Sequence, residues 1–149
     1  MQLIQIHQTH EGNLDCANNP DCDESLLMSI DYYKQVGFVP PWICYYAKKD
    51  GLLVGTAAFK GPPVQGRIEI AYGTFDKFRQ QGIGTLICKS LVDLAVKTDA
   101  SLSILARTLP EKNYSTRILE KNNFVLIGTV TDPEDGEVWE WEYSANKFG

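Results

Sequence analysis

Gly82 and Gly84 fall where a strand pattern gives way to the longest helical pattern in the chain, and few local features constrain a fold as tightly. Before them, residues 67–74 set Ile68, Ile70 and Tyr72 on one face at a period of two. After them, Leu86, Ile87, Leu91, Leu94 and Ala95 recur at helical spacing, with Lys89, Asp93 and Lys97 on the wet face. Glycine lets a backbone approach a ligand closely, and a helix N-terminus offers unpaired N–H groups and a partial positive charge. The segment Arg79-Gln80-Gln81-Gly82-Ile83-Gly84-Thr85 can therefore hold a diphosphate. It is not a Walker loop, because no Gly-Lys-Ser/Thr follows, and it lacks the first glycine of the dinucleotide fingerprint. Taken alone, a glycine-softened turn without a ligand explains the segment equally well.

The rest of the chain builds around this unit. A short strand fits residues 3–7, and a loop fits residues 15–23. Asp23 can cap a helix carrying Leu26, Leu27, Ile30 and Tyr33 on one face, which Gly37 stops ahead of Pro40 and Pro41. Residues 42–47 and 52–59 read as strands joined at Asp50-Gly51, a dipeptide that tolerates the positive φ of a hairpin turn. Beyond the long helix, residues 101–106 read as a strand, 114–121 as a helix, 125–130 as a strand, and 138–143 as a closing strand after Asp135-Gly136. The predicted order is β-α-β-β-β-α-β-α-β-β. Strand, helix and strand through residues 67–106 predict a right-handed parallel crossover, hence a mixed sheet of the α/β or α+β class.

Composition narrows the function classes. A chain of 149 residues, 44% hydrophobic and 11% aromatic, suits one globular domain over residues 1–149. With 14 Lys and Arg against 19 Asp and Glu, the formal charge of -5 argues against a nucleic-acid partner and tolerates an amine-bearing one. No N-terminal stretch reads as a signal peptide, and apolar runs such as residues 42–47 fall far short of the roughly 20 residues that span a bilayer. The expectation is a soluble, cytoplasmic protein without a membrane partner. Cys16, Cys22, Cys44 and Cys88 are unevenly spaced and read as thiols rather than disulfides. His7, His10, Cys16 and Cys22 lack the close ligand pairs of a structural zinc site, so no metal is expected.

Residues 79–84 match in full, and in strand-loop-helix setting, an Arg/Gln-x-x-Gly-x-Gly/Ala pyrophosphate loop. Glu69-Ile70-Ala71-Tyr72 before it, residues 104–110, residues 115–124 and residues 138–143 follow in the matching order. In these features the chain resembles the GNAT superfamily of N-acetyltransferases, closely over residues 67–143, and looks most like the branch of ribosomal-protein N-terminal acetyltransferases. Residues 1–66 match in element order only. The resemblance implies a GNAT-like mixed central sheet of about six to seven strands flanked by about three to four helices. It also implies acetyl-CoA as co-substrate, an amine acceptor such as a protein N-terminus or a small amine, and no metal. In such folds the strand before the loop splays from its neighbour. Pantetheine would then pair with exposed backbone around Tyr72, Gly73 and Thr74, and the loop residues Arg79 to Thr85 would hold the diphosphate.

Transfer of an acetyl group from a thioester to an amine needs a base for the amine, stabilisation of an oxyanion, and a proton for the thiolate. Glu69, in an apolar run, is the candidate base, directly or through a water; the structural alternative is an ion pair with Arg67 or another cation. Family geometry assigns the oxyanion to a backbone N–H near Thr74. The tyrosine that many members use as acid aligns with Leu119; the resemblance to the ribosomal-type branch implies Ser115 for that role, with neighbouring Tyr114 as a second donor. The plain reading of Ser115 is a helix cap, which does not exclude contact with the cofactor. A cofactor-contacting asparagine of the family aligns with Lys112, and here Asn113 is the next residue. Asn123 stands where a glycine is expected and can adopt the left-handed conformation. Trp139, Trp141 and Tyr143 alternate with Glu140 and Glu142, which reads as aromatic core opposite a wet face. Trp42 with Tyr32 or Tyr33 could line an acceptor pocket. The missing tyrosine leaves a non-catalytic acyl-CoA-binding or regulatory module as the alternative, and a plain interaction domain as a third. A homodimer is compatible with the chain, but no sequence feature identifies an interface.

Overall fold

The computed structural model describes residues 1–9, 13 and 19–144. Among them, seven strands form one mixed sheet: β1 (Gln2–Gln5), β2 (Cys44–Lys49), β3 (Leu52–Phe59), β4 (Arg67–Thr74), β5 (Ser103–Thr108), β6 (Phe124–Asp132) and β7 (Gly136–Tyr143). Their spatial order is β1-β2-β3-β4-β5-β7-β6. Helices α1 (Asp23–Val36), α2 (Ile83–Thr98) and α3 (Tyr114–Lys121) connect them, with a 3-10 turn at Asp76–Phe78. The order along the chain is the one the sequence predicts. β4 and β5 run parallel across the α2 crossover, and the other paired strands run antiparallel.

Local chemistry explains most boundaries. Asp50 and Gly51 both take positive φ, 53° and 81°, so the β2–β3 hairpin closes where a right-twisted pair of strands can meet. β2 starts at Cys44, later than expected, because Trp42 and Ile43 donate their N–H groups to the carbonyls of Val39 and Pro41 in the preceding turn. α1 starts at Asp23 itself, with Cys22 rather than Asp23 in the cap position. Gly37, at φ 91°, ends it as predicted. His10, Asp15 and Cys16 lie outside the described residues. The other three cysteines, Cys22, Cys44 and Cys88, are buried. Among the described residues no group of three or more His, Cys, Asp or Glu side chains could hold a metal ion. No described helix is long and apolar enough to cross a membrane.

Packing follows the helical stripes with two corrections. On α2, Ile87, Cys88, Leu91 and Ala95 are fully buried, each large apolar side chain contributing about 1.5–3 kcal/mol. Leu86 and, on α1, Leu27 were expected on the apolar faces but stand exposed. Each adjoins a buried residue, Ile87 or Leu26, and a step of about 100° along a helix carries it off the edge of the stripe. Tyr33 of α1 ties the far end of the sheet together, its hydroxyl donating to the Ile6 carbonyl at 2.7 Å and accepting from the Cys44 N–H at 2.9 Å.

The sheet faces are assigned by register. Ala71 pairs with Ala58, and Ala58 with Cys44, so Glu69, Ala71 and Gly73 lie on the face that α1 covers at its β1–β2 end. Ile68, Ile70 and Tyr72 lie on the α2 face.

Candidate active site

β4 is paired along its whole second half by β3, from Phe59 opposite Ile70 to Gly55 opposite Thr74. On its other edge, pairing to β5 runs only from Arg67–Ser103 to Ile70–Ala106. Glu69 and Phe75 meet the β3 side through their backbone, by Lys60 N–H to Glu69 O and Phe75 N–H to Val54 O, each at 2.9 Å. Backbone direction alternates along a strand, so Tyr72 and Thr74 turn their N–H and C=O groups toward β5, where among the described residues no strand pairs with them. The sheet is thus open between β4 and β5 beyond Ile70 and Ala106.

Two cavities meet at this opening, and Tyr72, Asn113 and Ser115 line both. The larger, about 610 Å³, is walled by Gly73, Thr74, Arg79, Gln80, Tyr114 and Arg117. The smaller, about 380 Å³, contains Glu69, Lys60, Arg107, Asp132 and Asp135, with Leu119 in its wall. The Tyr72 phenol is hydrogen-bonded to the Cys88 thiol of α2, and burial raises its proton affinity; the same burial pushes Cys88 up to about 12. With its side chain anchored below the sheet, Tyr72 offers its backbone edge to the opening.

In the glycine loop Gln80 and Gly82 take left-handed φ, 64° and 75°. The first intrahelical bond at this end is Leu86 N–H to Gly82 O, so the N–H groups of Ile83, Gly84 and Thr85 have no partner within α2. Of residues 79–85, Arg79 and Gln80 border the larger cavity; Gln81, Gly82, Ile83, Gly84 and Thr85 do not. Ile83 is buried in the core. A Cβ at Gly84 would stand 2.6 Å from Ile118, so that glycine serves the close approach of α2 to α3. Arg79 pairs with Asp76 at 3.1 Å, both side chains exposed.

Ser115 does not cap α3. Asn113 does, its Oδ1 accepting from Thr116 N–H at 3.2 Å while Thr116 Oγ1 accepts from Asn113 N–H at 2.9 Å. The Ser115 hydroxyl is left on the exposed second position of the helix, between the two cavities. Tyr114 borders the larger cavity alone and lies against the Arg117 guanidinium, 6.0 Å from its ring. Leu119 is fully buried in the smaller cavity's wall, so no phenol is presented from that position. Asn123 adopts left-handed φ, 67°.

Glu69 has cations on two sides, neither of them the Arg67 that sequence suggested. Lys60 Nζ is 3.6 Å from Oε2 and Arg107 Nε is 3.8 Å from Oε1. Burial raises its proton affinity above the ordinary carboxylate range; Lys60 and Arg107 pull it back in part, and Asp132 adds to the rise. Arg107 is itself held by Asp132, Nη1 to Oδ2 at 2.9 Å, and by Glu140, Nε to Oε2 at 3.2 Å. Glu140 is therefore buried beside Arg107, its partner in register on β5, and does not form the wet face expected of β7. Trp141 fills the core from the other face, its indole N–H donating to Thr108 Oγ1 at 3.1 Å. Trp42 packs edge-on against Phe59, and with Tyr33 belongs to the core rather than to either cavity. Tyr32 is half-buried, and its phenol feels the Glu69 charge. Lys60, Arg107, Asp132 and Arg117 are site residues that sequence reasoning missed.

A family model described as an acetyltransferase (GNAT) domain matches residues 8–125. The chain belongs to the GNAT acetyltransferase family. The reaction class implied by the sequence resemblance, acetyl transfer from acetyl-CoA to an amine, is the one that family carries. No curated protein matches the sequence. A chimera of the Vibrio cholerae spermidine N-acetyltransferase SpeG and hSSAT superposes with a TM-score of 0.70 at 12% identity, over 96% of this chain and 95% of that one. The ribosomal alpha-N-protein acetyltransferase RimL in complex with coenzyme A gives 0.67 at 14%, over 94% and 91%. The aminoglycoside acetyltransferase AAC(6')-Ib in complex with ribostamycin and coenzyme A gives 0.61 at 23%, over 70% of this chain and 64% of that one. At these identities the likeness is one of fold.

Proposed function

We propose that this chain, as a single cytoplasmic domain over residues 1–149, transfers the acetyl group of acetyl-CoA to a primary amine in the opening between β4 and β5. The observation that carries this is the free edge of Tyr72 and Thr74, set between one cavity with cationic Arg79 and Arg117 and another with the carboxylate of Glu69. The diphosphate lies against the N–H groups of residues 79–85, and pantetheine pairs with Tyr72, Gly73 and Thr74 as an added strand would. The thioester then points past Ser115 and Asn113. Asn113 Oδ1 is committed to the cap, so only its Nδ2 can serve the cofactor.

The amine enters from the smaller cavity. Its nitrogen lone pair attacks the thioester carbon, Glu69 takes a proton from the nitrogen directly or through a water, and the N–H of Thr74 holds the oxyanion. Collapse breaks the C–S bond and leaves an amide. The thiolate takes a proton relayed through Ser115, which borders both cavities and regains one from solvent as Glu69 returns its own to solvent; Tyr114, confined to the cofactor side, is the less favoured donor. The acceptor is a protein N-terminus or a small amine, the classes named for RimL, SpeG and AAC(6')-Ib.

The test is release of free thiol from acetyl-CoA across a panel of protein N-terminal peptides, polyamines and aminoglycosides. Release with one class supports the enzyme. Acetyl-CoA binding without release by any class favours the non-catalytic module, the reading to which Leu119 points.

A further inference from the structure

Arg107 sits at the centre of four charges brought together from separate strands. Two of its nitrogens are engaged: Nη1 by Asp132 at 2.9 Å and Nε by Glu140 at 3.2 Å. Glu69 is left at 3.8 Å from Nε, beyond hydrogen-bond distance although it faces the same guanidinium. Asp132 is itself fixed, because its Oδ1 accepts the backbone N–H groups of Glu134 at 2.9 Å and Asp135 at 3.2 Å, the turn that joins β6 to β7. The anchor of Arg107 is thus part of a hairpin backbone, whereas the competing Glu69 stands across the opening on β4.

We propose that Asp132 is a positioning residue that preserves the basicity of Glu69 by holding Arg107 away from it. The inference rests on the assignment of Glu69 as base. A bidentate guanidinium on Glu69 would stabilise its ionised form and make it a poor acceptor of the amine proton. Asp132 contributes in two ways that share a sign: it takes the Nη1 donor while Glu140 takes Nε, the nitrogen nearest Glu69, and its own negative charge opposes ionisation of Glu69. The other groups facing Glu69 are Lys60 from the end of β3 at 3.6 Å, Glu140 of β7 through Arg107, and the Tyr32 phenol of α1. None of these is tied to the β6–β7 turn as Asp132 is.

Two variants move Glu69 in opposite directions. Asp132→Asn keeps an acceptor for the turn N–H groups but frees Nη1 of Arg107 and removes a negative charge, and should lower the Glu69 titration by about one pH unit. The pair Arg107→Gln with Glu140→Gln removes the cation together with its buried partner, leaving no lone charge at position 140, and should raise it by about the same amount. The probe is the 13C side-chain carboxyl resonance of Glu69 in selectively labelled protein, assigned by its loss in Glu69→Gln and followed with pH. The acid limb of the pH–rate profile, recorded on the same variants, should move with it. A Glu69 resonance that titrates alike in wild type and both variants, or moves in the same direction in both, overturns the inference. A resonance that moves as expected while the acid limb stays fixed supports the role of Asp132 and overturns Glu69 as base.

Discussion

Ile70 and Ala106 form the last rung between β4 and β5, and the backbone edge past Ile70 belongs to no strand of the described residues. The Gly82 loop stands at the far end of that edge, Glu69 one residue before the rung. This ordering places the backbone proposed to bind the cofactor and the candidate base on a single strand.

Gly82 takes φ 75° with open space around its missing Cβ. Gly82→Asp should therefore cost about 1–2 kcal/mol of backbone strain and leave the fold intact. The carboxylate would bring a negative charge to the loop proposed to hold the diphosphate, so acetyl-CoA affinity should fall by about 100-fold or more. Isothermal titration calorimetry checks the affinity and circular dichroism the fold; unchanged affinity removes the loop from the cofactor site.

Glu69→Gln keeps the shape of the side chain and removes its proton affinity. Turnover with a productive amine should drop by about 100-fold to 10,000-fold, with acetyl-CoA binding unchanged. Equal residual turnover would end the role of Glu69 as base.

The pH dependence has a definite sign. Glu69 must be ionised to accept a proton, and burial raises its titration above the ordinary carboxylate range. Activity should be full above that raised value and lost as pH falls through it, so the acid limb should lie above the ordinary carboxylate range. An acid limb at or below it would contradict the buried environment seen around this residue.

Asp132 works in the opposite sense. Hydrogen bonds from the Glu134 N–H, the Arg107 guanidinium and the Asp135 N–H hold its carboxyl at about 2, below its ordinary 3.8. Its stabilisation of the fold should be present above its ordinary value and lost as pH falls from there toward 2. The stability gap between wild type and Asp132→Asn, measured by urea denaturation, should narrow across that window; a gap independent of pH would exclude a native-state charge effect.

Ser115→Ala should lower turnover by about 10-fold to 100-fold with little change in stability, because Asn113 and Thr116 hold the cap. Tyr114→Phe should leave turnover near wild type. Asn113→Ala should cost about 1 kcal/mol of stability, read from the urea midpoint. A larger loss of turnover in Tyr114→Phe than in Ser115→Ala would reverse the assignment of the proton donor.

What could be read from sequence was local. The period of β4, the Asp50-Gly51 turn and, but for Leu86 at its edge, the stripe of α2 each depend on neighbours within a few residues, and they appear as expected. Leu27 and Leu86 were misplaced because hydrophobicity alone does not show where a stripe ends. In sequence Ser115 reads as a possible cap of α3, whereas the helix starts at Tyr114 and Asn113 takes that place. The charge cluster was invisible for a different reason: Arg107 lies 25 residues from Asp132 and 33 from Glu140, and only the insertion of β7 between β5 and β6 brings them together.

The central claim is that acetyl-CoA occupies the free edge of β4. Backbone amide NMR of the 15N-labelled chain, titrated with acetyl-CoA, addresses it directly. Tyr72, Thr74 and residues 79–85 should show the largest shift changes, and the Tyr72 and Thr74 amides should gain protection from hydrogen exchange. Shift changes confined to other surfaces, or none at saturating acetyl-CoA, would contradict it.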